Sequence, residues 1–189
     1  MDARAVAADR LLPDETLLWA GQSDPAKTFG DDDRYLVPFS VLFLGFVVVA
    51  LIAACRGRAH LSAVIPLALL TAAGLHLLVG RFFVKRHRKR TEVYAVTDRR
   101  VLVVTRRGDR ETDVRRTDRQ VAWSGRHVSV SWDDTSDLDT LFWGGSTSVR
   151  QYANTGLDGL SGRRDFAFYD VLDGDALLAA LDAASAGGR

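Results

Sequence analysis

From Tyr35 to Thr91 the chain runs 57 residues without one Asp or Glu. Two apolar segments fill most of that run, Tyr35–Cys55 and Leu61–Gly80, and Lys85-Arg86-His87-Arg88-Lys89-Arg90 closes it. About 20 apolar residues in a helix match a hydrocarbon core roughly 30 Å thick. Neither segment shows an amphipathic stripe, so each can face lipid on most sides. A buried hairpin in a soluble domain would need far more chain to cover it than 189 residues supply. The expectation is a two-helix transmembrane hairpin, with helix one at 35–55 and helix two at 61–84.

Charge is partitioned around this hairpin. Residues 1–34 hold four basic and eight acidic side chains, 35–90 hold eight basic and none acidic, and 91–189 hold 13 and 16. The soluble parts therefore lack the basic face that nucleic acid calls for. Basic residues flanking a span mark its cytoplasmic side. Arg81, Lys85, Arg86, Arg88, Lys89 and Arg90 outweigh Arg56 and Arg58 in the short connection. Both termini are therefore expected in the cytoplasm, with the chain in a bacterial inner membrane. No signal peptide is expected, since no basic flank precedes the first apolar run. The dominance of Arg over Lys, 22 to 3, fits the coding bias of a GC-rich bacterial genome. The single Cys55 leaves no intramolecular disulfide.

Inside the spans, Pro38 falls in the first turn of helix one, where a missing N–H matters little. Small residues (Gly45, Ala50, Ala53 and Ala54; Ala68, Ala72, Ala73 and Gly74) suit close helix contact. His76 has no intramembrane carboxylate to pair with and is expected to hydrogen-bond to the other helix. Segment 1–34 carries Leu17, Leu18 and Trp19, which need cover. It is expected to pack on the C-terminal domain or to add an edge strand to it.

Beyond Thr91 the pattern changes to short strands. Thr91–Thr97 alternates, Asp98-Arg99 offers a tight turn, and Val101–Thr105 is β-branched, a hairpin by pattern. Further strands are expected at Thr112–Arg116, Gln120–Trp123, Val128–Trp132, Leu141–Trp143 and Arg164–Tyr169, with a long loop at 144–162. Asp173 is expected to cap a closing helix from Gly174 to about Ser185, with Leu177, Leu178, Leu181 and Ala184 inward. The fold class is thus α+β: a membrane hairpin plus a small curved antiparallel sheet or partial barrel at 91–189, closed by a helix.

Tyr94-Ala95-Val96-Thr97-Asp98-Arg99-Arg100-Val101-Leu102 resembles the hairpin signature of bacterial pleckstrin-homology-like (PH-like) domains. Phe166–Val171 followed by a capped helix is similar to that family's closing strand and helix. Leu12–Gly21 is similar to the short element preceding the membrane hairpin in anchored members. Together they cover nearly the whole chain in order. Gly125-Arg126-His127 and the 144–162 loop depart from the family pattern. The resemblance implies a PH-like fold, no catalysis and frequent self-association; it does not imply phosphoinositide binding.

No chemical constellation stands against that. Asp133, Asp134, Asp137 and Asp139 lack the Gly and Glu that a calcium loop places at its sixth and twelfth positions. His60, His76, His87 and His127 fall in different compartments. No serine-hydrolase elbow, phosphate loop or dinucleotide fingerprint is present. Trp123, Trp132 and Trp143 read as buried aromatics, the alternative being an interfacial aromatic or peptide-binding patch. Arg99 and Arg100 at the hairpin tip face either lipid phosphates or the domain's own acids. Together with Arg81, Lys85, Arg86, Arg88, Lys89 and Arg90 they are the candidate membrane-surface residues. The expected function is a non-catalytic adaptor contacting itself, another protein or anionic head groups at the inner face, without cofactor or metal. The alternatives are an accessory subunit of a transport or envelope-stress system, or a small membrane enzyme.

Overall fold

The computed structural model describes residues 2–30, 33–106, 108–116, 118–132 and 166–187. Two long apolar helices stand beside an α+β body of two antiparallel sheets. Helix α1 (Ala3–Ala8) and strand β1 (Leu17–Gly21) come first. The apolar helices follow: α2 (Asp33–Arg56), α3 (Leu61–Leu75), one π-helical turn (His76–Gly80) and α4 (Arg81–Thr91). Strands β2 (Val93–Thr97), β3 (Arg100–Val104), β4 (Arg110–Asp113), β5 (Arg119–Ser124), β6 (His127–Trp132) and β7 (Phe166–Val171) make the rest of the sheets. Helix α5 (Gly174–Ala186) closes the chain.

The first sheet has the order β1-β2-β3-β4 and the second β5-β6-β7, and among the described residues the two do not close into a barrel. Pairing of β2 with β3 sets Tyr94 against Val103 and Val96 against Val101. These four side chains join Val128, Val130, Trp132, Phe168 and Val171 of the second sheet, and Leu177, Leu181 and Ala184 of α5, in one core. Aromatic contacts bind the two sheets together. Tyr94 of β2 and Trp19 of β1 stack on Phe168 of β7 at 4.5 and 6.2 Å between centroids, and Trp132 meets the same ring edge-on at 5.5 Å within the second sheet.

The opposite face of the first sheet is also covered. Val93, Ala95, Leu102 and Val104 pack with Ala7, and with Ala3, Val6, Leu17 and Ala20 beside them. Burial on both faces explains why β2 and β3 are apolar at nearly every position. The N-terminal segment thus contributes both expected forms of contact, since β1 pairs antiparallel with β2 while α1 covers the outer face. Gly21 lets the Trp19 ring fold back over the backbone; a Cβ there would lie 2.4 Å from that ring.

Several expectations shift in detail. Helix one starts at Asp33 and ends at Arg56, wider than 35–55. Helix two runs as one 31-residue helical stretch from Leu61 to Thr91, so the basic run continues the helix rather than ending it. Lys and Arg are good helix formers, and hydropathy registers only where apolar composition stops. Gly74 is the small residue that α2 crowds, with Phe43 and Leu44 against it, while Gly45 faces open space. Among the described residues His76 makes no bond to α2; its ring folds over Gly80 instead. The strand expected at Thr112–Arg116 sits at Arg110–Asp113, because Val114 and Arg115 form a turn and Val114 dips into the core. The closing strand covers Phe166–Val171 and so runs past the expected end at Tyr169, while its expected start at Arg164 lies outside the described residues. Asp173 occupies the N-cap position of α5 without a side-chain capping bond. Trp132 is buried as expected, but Trp123 is half exposed on the outer strand β5. The acidic run from Asp133, the strand expected at Leu141–Trp143 and the loop at 144–162 lie outside the described residues.

Candidate functional site

Helix α4 carries Arg81, Lys85 and Lys89 at successive i, i+4 positions, so the three share one face. That face is turned inward, and all three residues are buried. Arg81 donates through Nε to the Leu77 carbonyl at 2.7 Å and through Nη1 to Asp33 at the start of α2. The second oxygen of Asp33 accepts the Gly30 N–H at 2.6 Å and lies 3.7 Å from the Lys85 ammonium. One carboxylate therefore holds the start of the first long helix against the end of the second.

One turn further on, Lys89 spends its three donors on the Lys27 carbonyl at 2.6 Å, the Asp24 carbonyl at 3.2 Å and Asp170 Oδ2 at 2.7 Å. Asp170 also binds Lys27 at 2.8 Å and belongs to β7, where its φ is +51°. Asp is among the residues that tolerate this left-handed conformation. Its N–H donates to Ser129 Oγ at 3.1 Å and its carbonyl accepts from Asp24 N–H at 2.9 Å. The charged face of α4 is thereby bonded directly to the second sheet.

Next to these pairs lies a small cleft lined by Ser23, Lys85, Arg88, Lys89, Glu92, Tyr94 and Tyr169. Ser23 Oγ donates to the Tyr169 carbonyl at 2.6 Å and lies 2.9 Å from Tyr94 Oη. Burial, reinforced by the nearby Glu92 charge, pushes the Tyr94 hydroxyl up to about 12, so it stays protonated. Arg88 holds Glu92 at 3.2 Å. Asp24 pairs with His127 at 2.8 Å. That hydrogen bond outweighs burial and lowers the Asp24 pKa, with help from the Ala26 N–H and the positive charges of His127 and Lys89. The Phe29 ring packs on Phe82 at 5.2 Å, laying the 24–30 connection along α4.

A second polar cluster lies at the tip of the β2–β3 hairpin. Arg100 binds Glu15 with both Nε at 2.8 Å and Nη2 at 2.9 Å, and also pairs with Glu111. Glu15 accepts further bonds from Leu12 N–H at 2.7 Å and Thr97 Oγ1 at 2.8 Å. Burial alone would raise the Glu15 pKa; the bonds from Arg100, Leu12 and Thr97 reverse this and hold it at about 2. The same pairing raises Arg100 further. Arg99 stays exposed and donates to the Asp14 carbonyl at 3.2 Å.

The eight candidate surface residues therefore separate into three sets. Arg86, Arg90 and Arg99 are exposed. Arg81, Lys85 and Lys89 are not a surface array, because helical spacing turns them onto Asp33, Asp170 and backbone carbonyls. Arg88 and Arg100 are partly covered and face Glu92 and Glu15. The acids that receive these bases, Asp33 and Asp170, are the residues that sequence reasoning missed. The four-residue spacing of the bases was a visible signal that one face was meant for something other than solvent.

No protein-family model, characterised protein or solved structure matches the chain.

Proposed function

We propose that this chain is a membrane-anchored, non-catalytic adaptor whose hairpin holds a PH-like domain at the cytoplasmic face. The observation that carries the reading is the exposure of the long helices. Only 11% of the apolar window of the first and 6% of that of the second is covered by the rest of the chain. A core helix of a soluble protein is mostly covered; here Leu42, Phe46 and Leu61 are bare and need lipid around them. The apolar segments carry no carboxylate, and the buried charges at their base serve to join α4 to the sheets. The surfaces left for recognition belong to the α+β body, where Val121, Trp123 and Leu172 are exposed.

Crosslinking of the full chain in native membranes, followed by mass spectrometry, tests this reading. Crosslinks from the α+β body to a second copy or to another membrane-associated protein are expected. Recovery of the chain in the soluble fraction after alkaline extraction would overturn the membrane part. Crosslinks confined to the chain itself would overturn the adaptor part.

A further inference from the structure

We propose that the cleft between α4 and the sheets takes one anionic oxygen of a phosphate group, with Lys85 as its principal donor. Lys85 is the cation there with unused bonding capacity. Its side chain is 3% exposed, yet among the described residues its only ionic contact is Asp33 at 3.7 Å, beyond hydrogen-bond reach. Asp33 cannot come closer to Lys85 without giving up bonds, because Arg81 and the Gly30 N–H already hold it. The neighbouring cations are committed differently, with Lys89 saturated and Arg88 neutralising Glu92 on the cleft wall. An ammonium that opens onto a cleft with no hydrogen bond from the protein favours an added acceptor there.

The size of the cleft limits that acceptor. Its free space is about 10 Å³, enough for one water-sized atom. A single oxygen fits beside Lys85 in the cleft that Ser23 and Tyr94 also line, while the rest of its group stays at the mouth. Depth argues for phosphate. Lys85 follows the last residue of the apolar segment, Gly80, by five positions, which is about 8 Å along a helix. In a bilayer the polar head-group layer occupies roughly 5–8 Å outside the hydrocarbon. This step rests on the membrane reading proposed above. A lipid phosphodiester and free inorganic phosphate share the required chemistry.

The test uses the full chain in a maltoside detergent, which contains no phosphate. One arm follows the melting temperature as inorganic phosphate replaces chloride at constant ionic strength. The other adds phosphatidylglycerol to the micelles and counts retained lipids by native mass spectrometry. Lys85→Gln is compared with Arg86→Gln, which removes the same charge from the exposed side of α4. The expected result is a melting temperature raised by several degrees, or one lipid retained, in wild type and Arg86→Gln and lost in Lys85→Gln. A response to phosphate alone assigns the free anion; lipid retention alone assigns the head group. Wild-type protein that answers to neither overturns the proposal even if Lys85→Gln fails to fold. Equal loss in both variants also overturns it, since that is a general charge effect. Because the phosphate arm needs no bilayer, its failure is separate from failure of the membrane reading, which alkaline extraction reports.

Discussion

Glu15 lies far from the long helices, yet its side chain is fully covered and gathers bonds from Leu12, Thr97 and Arg100. It ties the segment before β1 to the tip of the β2–β3 hairpin. In the unfolded chain this carboxyl protonates near its ordinary value of 4.5, and in the fold only at about 2. Between those values the unfolded state binds the extra proton, so stability is fully present above pH 4.5 and falls as the pH drops toward 2. At about 1.4 kcal/mol per unit, the contribution is on the order of 3 kcal/mol. Glu15→Gln should therefore lower the melting temperature of the detergent-solubilised chain at neutral pH. It should also flatten the melting profile between pH 5 and pH 2 relative to wild type, as followed by circular dichroism. A variant profile as steep as that of wild type would show that other carboxylates control the acid response. Arg100→Lys would not restore the pair, because the two-pronged contact needs a guanidinium.

At the scale of elements, legibility followed whether a local signal agreed with its surroundings. The β2–β3 hairpin was readable because Val93–Thr97 and Val101–Val104 are apolar on both faces and a turn separates them. The stripe on α5 was readable because Leu177, Leu181 and Ala184 recur at helical spacing and all three are buried. Strand β4 was misplaced because Arg-Glu-Thr-Asp has no apolar alternation; its position comes from pairing with β3, with Arg100 opposite Asp113. The role of Asp33 and Asp170 was hidden because their partners lie 48 and 81 residues away in sequence. The N-terminal element could be read as needing cover, and its structure specifies a consequence. Removing residues 2–25 strips β1 from the edge of β2 and bares Val93, Ala95, Leu102 and Val104. It also deletes Ser23 from the wall of the cleft. Limited proteolysis of the truncated chain in detergent should cut within β2 to β4 under conditions where the full chain resists. Unchanged cleavage would mean that the first sheet stands without its N-terminal cover.

For the whole molecule, the arrangement of the two long helices gives a simple topological test. Cys55 is the only cysteine, is exposed, and sits at the end of α2 opposite the α+β body. In right-side-out vesicles a membrane-impermeant maleimide should label Cys55 of the wild-type chain. In a Cys55→Ser background, cysteine placed at the exposed position Arg90 should react only after the vesicles are opened. The reverse pattern would invert the orientation that the basic residues of α4 imply.

The unbroken helix from Leu61 to Thr91 has a mechanical consequence. Its length is about 46 Å, well beyond the hydrocarbon thickness of about 30 Å. A single residue, Glu92, separates its end from β2. Lys89 and Asp170 fasten the same end to the second sheet. There is no swivel in this joint. On the membrane reading proposed above, any lean of the helix imposed by a thicker or thinner bilayer is transmitted as the same rotation of the body, so its exposed faces turn toward or away from the membrane plane like a blade on a fixed handle.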